Sequence, residues 1–341
     1  MISEGRWWKN CSFLLKTSNP IGIEYRQEVH MKKAIFFFAL IVTSLFFSQV
    51  SAQATSSNSI TISGSRFTYD LLRQWIQDFN EENPDAVIQI VPRETPYAES
   101  ANLVINAHNL DTLEIRKGYE YVKLGRYVIL PVANEQNTLV RLYKNRPIRQ
   151  NELKELYFDP LQEEIESSEV RRVKKQSIQL YTRLRIACAN TAFASYYGFK
   201  AKDIKGRPIA GEDKHLLYAI AKDTSGVTYS IPSIFYDLQT RKLKKGISIL
   251  KTESLANAIV TKKLDLSNLD SLTNYLEANA ASVDFPVTYF HISLKKDVPD
   301  HSIERKFLHY ILTKGQVRLH QFGFLNPEEP VRTKSIQQLS F

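Results

Sequence analysis

The stretch that most constrains this chain runs from Gln179 to Phe199, where side-chain periodicity changes without a break. From Gln179 to Arg185, Leu180, Thr182 and Leu184 alternate with Tyr181, Arg183 and Arg185, the period-two pattern of a strand. From Ala187 onward Phe193, Tyr196 and Tyr197 recur at helical spacing, and Gly198 stops the helix. A strand that carries arginines to the mouth of a helix builds an anion site. Unpaired backbone N–H groups and the positive end of the helix dipole converge there.

The first residues do not read as folded structure. Met31 opens a basic and then mostly apolar segment, with Lys32 and Lys33 followed by Ala34 to Phe47, and small residues at Val50 and Ala52 before Gln53. That is the pattern of a secretory signal peptide, 31–52, too short for a comfortable membrane span. Residues 1–30 then read as an upstream extension; an uncut anchor and a folded N-terminus are the alternatives. Composition matters here only after that segment is set aside. The full chain carries +9, but residues 1–52 hold six Lys/Arg and three Asp/Glu, leaving 39 against 33. So mild an excess invites anionic ligands or surfaces without demanding nucleic acid. Cys11 belongs to the leader, so Cys188 stands alone and no intrachain disulfide is expected.

Beyond the leader, Ser59–Ile62 reads as a strand and Ser63–Phe67 as a Gly/Ser turn. A helix follows, with Leu71, Leu72, Trp75, Ile76 and Phe79 on one face, and then a strand at Ala86–Val91. This is a βαβ opening whose turn is placed to cradle an anion. Further strands are expected at Leu103–Ala107, Tyr127–Ala133 and Val227–Ser230, and a helix at 211–221. The charge-dense segment 162–176 reads as a solvated loop.

These landmarks resemble, in order and with gaps from Ile60 to Pro327, the periplasmic phosphate-binding proteins of ABC transporters. In that family a strand ends in R-x-D-G-S-G-T and a helix with F-x-x-Y-x-G follows. Here Arg183 falls on the arginine and Phe193 to Gly198 on the helix, while Arg185 replaces the aspartate and Ile186 to Ala189 replace Gly-Ser-Gly-Thr. The family's opening G-x-T-F-P is matched in frame by Gly64-Ser65-Arg66-Phe67, with Arg66 at the threonine. Asn109 is the nearest match to an aspartate that accepts a hydrogen bond from protonated phosphate. Val132–Asn137 resembles the first crossing between lobes, Ile148–Phe158 the helix opening lobe two, Phe285–Leu294 the returning strand, and Phe307–Phe324 the closing helix.

The resemblance implies an α/β, two-lobed periplasmic-binding-protein-like fold with mixed sheets flanked by helices and two crossover strands, the second near Ala281–Phe285. Residues 53–135 and 285–341 would form lobe 1, and 136–284 lobe 2. It implies an exported, monomeric protein that captures phosphate or another oxyanion between its lobes and serves an inner-membrane ABC permease. The implied ligand residues are Ser65, Arg66, Phe67, Asn109, Arg183, Arg185 and Ala189. With Asn109 and Arg185 in place of acids, preference for protonated anions is expected to vanish. Enzyme motifs, cofactor motifs and metal-ligand spacings are absent from the sequence. Cys188 reads as a small buried residue, the alternative being a thiol of lowered pKa at a helix N-terminus. The alternative for the whole chain is a ligand-poor module in a cell-envelope complex, its arginines spent in surface ion pairs.

Overall fold

The structure, a computed structural model, describes residues 58–110, 112–158 and 178–339. The leader and the 162–176 segment lie outside the described residues. The first part of the chain forms β1 (Ser59–Gly64), α1 (Tyr69–Glu82), β2 (Val87–Ile90), β3 (Leu103–Asn106), β4 (Tyr119–Val128) and β5 (Leu130–Asn134). Then come α2 (Thr138–Leu142), α3 (Gln150–Tyr157), β6 (Gln179–Arg183), α4 (Cys188–Tyr196), β7 (Arg207–Ile209), α5 (Asp213–Lys222) and β8 (Gly226–Ser230). The remainder is α6 (Pro232–Phe235), β9 (Ile247–Ile249), α7 (Glu253–Thr261), α8 (Leu269–Asn279), β10 (Val287–Lys295), α9 (Ile303–Thr313) and α10 (Glu329–Gln338).

Two mixed five-stranded sheets result, ordered β2-β1-β3-β10-β4 and β7-β6-β8-β5-β9. In each, three parallel strands meet one antiparallel strand contributed by a crossing segment: β10 against β3 and β4, β5 against β8 and β9. The fold is therefore the two-lobed α/β architecture the sequence implied, a lobe being the part built on one sheet.

The first crossing differs in place. The apolar run Tyr127–Ala133 reads as one buried strand, but the chain changes sheet at Ile129, ahead of the expected Val132–Asn137. Its amide donates to Pro286 O at 3.0 Å, so the outgoing and returning segments lie hydrogen-bonded side by side. Strand β5 is thus already part of the second sheet.

The alternating reading of Gln179–Arg185 also changes. Strand β6 lies between β7 and β8 and buries Leu180, Tyr181 and Thr182 in succession. It ends at Arg183, and Leu184, Arg185 and Ile186 are exposed. A parallel strand covered on both faces is continuous in burial, not alternating.

Helix α1 buries Leu71, Leu72, Trp75 and Phe79 against the first sheet, the stripe its spacing predicts. Trp75 Nε1 donates to Gly315 O at 2.7 Å, fixing α1 to the turn after α9. One apolar cluster runs from this helix through Tyr127 and Ile129 to Phe193 and Tyr229, so the seam between the lobes is part of the core. Gly64 ends β1 at φ 136°, where a Cβ would lie 2.1 Å from Ile105 O. Only glycine lets β1 turn there beside β3.

Candidate functional site

The turn after β1 and the start of α5 face each other across the seam, and Arg66 joins them. Its guanidinium donates to Glu212, the residue capping α5, and to Glu94 in the loop after β2. Burial opposes the charge on Arg66, but the two carboxylates more than offset it and hold its pKa above the ordinary value. Glu212 also lies 3.1 Å from Lys214 Nζ. Burial alone would raise its pKa; Lys214 and Arg66 instead hold it below the usual carboxylate range.

One residue on, Asp213 accepts from Arg183 Nη1 at 3.1 Å. Both side chains of this pair are 15% exposed, against 35% and 30% for Arg66 and Glu212. Arg183 Nε is buried without a hydrogen bond among the described residues. The carboxylates sit in the first turn of α5, where unpaired N–H groups favour negative charge. Beside them opens a cleft of about 390 Å³, lined from the first lobe by Arg66, Phe67 and Arg73 and from the second by Glu212, Asp213 and Lys214. Phe67 meets Tyr127 in a tilted contact at 4.9 Å and stacks toward Phe324 at 6.2 Å between ring centroids.

Deeper in the seam, Ser65 Oγ donates to Cys188 Sγ at 3.0 Å, linking the turn after β1 to the first residue of α4. His108, which follows β3, is buried and interacts with the same sulfur, and its Nε2 lies 2.8 Å from Glu114 Oε1. Burial would raise the thiol pKa of Cys188. The neighbouring imidazole, with donors at Ser65 and the Ala107 amide, instead lowers it. Reciprocally, Cys188 and then Glu114 push His108 up to about 9 against the opposing effect of burial.

Of the residues the sequence nominated, Ser65, Arg66, Phe67 and Arg183 come together around the seam, with Ala189 buried in the first turn of α4. Arg185 and Asn109 do not join them. Both are exposed and make no hydrogen bond to the others among the described residues, Arg185 because β6 ends before it and Asn109 because His108 turns inward in its place. The guanidinium groups that do converge are already matched by carboxylates. Sequence reasoning missed Glu94, Glu212, Asp213 and the pairing of Cys188 with His108; no local signal links residues so far apart in the chain. Among the described residues no group of three or more His, Cys, Asp or Glu is arranged to hold a metal ion.

No family profile matches this sequence, and no curated protein does. Solved structures match at the level of fold. One, assigned as a phosphate ABC transporter substrate-binding protein with bound phosphate from Clostridium perfringens, is 14% identical, with TM-score 0.58, covering 80% of this chain and 100% of its own. An ABC-type phosphate transport receptor from Vibrio cholerae is 14% identical, with TM-score 0.52, covering 79% and 100%. The regulatory domain of a LysR-family regulator from N. meningitidis also matches, at 11% identity and TM-score 0.47, covering 79% and 100%. The chain has the fold of these two-lobed substrate-binding proteins. At such identities the likeness extends to the fold alone.

Proposed function

We propose that this protein is an exported binding protein that captures a small oxyanion, phosphate first among them, between its lobes and delivers it to an inner-membrane ABC permease. It performs no chemistry on that ligand and acts as a monomer. The observation supporting this reading is the convergence of Arg66 and Arg183 on adjacent residues, Glu212 and Asp213, at a helix N-terminus beside a cleft lined by both lobes. A ligand's oxygens would take over the one guanidinium hydrogen bond that Glu212 now accepts from Arg66 Nη1, and Lys214 Nζ, also released by Glu212, would supply a second charged donor. The carboxylates that stay behind disfavour a second negative charge and accept a proton, so a protonated, singly charged oxyanion is preferred over a fully ionised one. This reverses the selectivity expected from Asn109 and Arg185 alone. Export rests on the signal-like segment 31–52.

Thermal unfolding with added phosphate, sulfate or a small carboxylate tests the proposal. Ligand at about a hundred times its Kd stabilises by about 2.7 kcal/mol, and Arg66→Ala removes that gain. No stabilisation of the wild type by any of these anions rejects it. A second reading, a partner-binding module of an envelope complex, is favoured by the Ser65–Cys188 and Arg66–Glu212 contacts, which hold the lobes together through protein groups alone. It expects a stable protein complex that survives Arg66→Ala.

A further inference from the structure

We propose that Cys188 is a modification site, a thiolate paired with His108 that takes one oxygen atom from a small hydroperoxide such as hydrogen peroxide. This does not depend on what the cleft binds.

The surroundings of the sulfur separate it from an inert buried cysteine, which sits among apolar groups. Cys188 is the first residue of the nine-residue helix α4, where backbone N–H groups are unpaired. Ser65 Oγ donates to the sulfur at 3.0 Å from the other lobe. His108 is 8% exposed and anchored through Nε2 to Glu114 at 2.8 Å. That leaves Nδ1, buried without a hydrogen bond among the described residues, as the ring nitrogen free to interact with the neighbouring Cys188 sulfur. A carboxylate, an imidazole and a thiol in that order stabilise thiolate and imidazolium together. Both pKa shifts run in the direction such a pair requires. The other titratable groups facing the pair are Tyr127, whose hydroxyl donates to Ala107 O, and His291 on β10, which burial keeps uncharged at neutral pH.

The size of the reagent follows from access. Cys188 is 5% exposed in the seam, which admits a small neutral molecule more readily than a bulky disulfide. In the reaction the thiolate attacks one peroxide oxygen and the O–O bond breaks. The departing oxygen takes the proton of the His108 imidazolium and leaves as water. Sulfur is oxidised to the sulfenic acid, peroxide is reduced, and His108 ends neutral. The new oxygen enters the 3.0 Å contact between Ser65 and Cys188, at the junction of the lobes.

The test is the thiolate ultraviolet absorbance of the full chain against pH, read as a difference from C188S so that Cys11 cancels, followed by hydrogen peroxide and peptide mass analysis. The expected midpoint lies below that of a free thiol, and peroxide adds oxygen at Cys188. His108→Gln should raise the midpoint by about one unit, which is a tenfold loss of thiolate near neutral pH. Ser65→Ala, which removes one donor and hardly alters volume, shifts it the same way by less and serves if the histidine variant does not fold. A wild-type midpoint at or above the free-thiol value, no oxygen gained at Cys188, or wild-type behaviour in the folded variants overturns the proposal.

Discussion

Replacing Glu212 with Gln and Asp213 with Asn removes one negative charge from each of two adjacent residues, yet the consequences should differ by several-fold. Glu212 and Arg66 are about one-third exposed, and Arg66 keeps Glu94 when Glu212 is neutralised. A pair so open to solvent contributes at most ~1 kcal/mol. Asp213 and Arg183 are each 15% exposed, and the guanidinium already has one N–H unsatisfied, so neutralising Asp213 leaves a largely dry cation without its partner. That costs about 2–4 kcal/mol, toward the lower part of the range for buried pairs. With roughly 2–4 °C per kcal/mol for a chain of this size, D213N lowers Tm by on the order of 5–15 °C and E212Q by about 4 °C at most. Scanning calorimetry at low and high salt reads both. The E212Q effect should shrink with salt and the D213N effect should persist. Equal losses, or a larger loss for E212Q, would show that burial does not govern these pairs and would remove the reason for treating Glu212 as the displaceable acid.

Two further outcomes follow from single positions. Gly64→Ala places a Cβ 2.1 Å from Ile105 O at φ 136°, so about 1–2 kcal/mol of backbone strain adds to about 1–3 kcal/mol of overpacking, and the urea midpoint should fall without a change in m. A midpoint within error of wild type would mean that β1 and β3 can separate there without loss. His291 is held down to about 4, first by burial and then by the charges of His108 and Lys123. Its folded pKa lies below the unfolded ~6.5, so the unfolded chain binds the extra proton between them. Its contribution is complete above about pH 6.5 and is lost as pH falls toward 4, by on the order of 3 kcal/mol. His291→Gln should flatten that acid limb in denaturant titrations at several pH values, and an unchanged limb would assign it to other groups.

What the sequence disclosed was local. The apolar stripe of α1, the strand-to-helix change at Arg183–Cys188 and the order of the elements all depend on residues a few positions apart, and each appears in the fold. The register of the crossing was not legible, because Tyr127–Ala133 is apolar throughout and nothing in it marks Ile129 as the change of sheet. Arg185 was misplaced for a related reason: alternation within β6 is imitated by a strand buried on both faces. The charge pairing at the seam was beyond local reading. Arg66 and Glu212 are 146 positions apart, and Ser65 and Cys188 are 123. The sequence could count arginines near two helix starts, but it could not say which acids would reach them.

That pairing changes what capture would mean. A cleft of bare cations gains the full attraction of an incoming anion, whereas here an anion exchanges with one that is already bound. Dislodging Glu212 from Arg66 costs at most ~1 kcal/mol because the pair is partly wet, and each new charge-assisted hydrogen bond contributes about 1.5–3 kcal/mol. In the proposed reading, the exchange would favour a ligand that takes this bond from Arg66 and a second from Lys214, both of which Glu212 now holds. A second ligand charge would face Asp213 and Glu94, which keep their arginines, and the gain would be eroded. Ser65 presents the same logic one layer deeper. Its hydroxyl is given to the Cys188 sulfur, so any ligand that wants that donor would compete with a sulfur the protein supplies itself. If the seam captures an anion as proposed, its selectivity is set less by the cations it contains than by the internal anions that can and cannot be displaced.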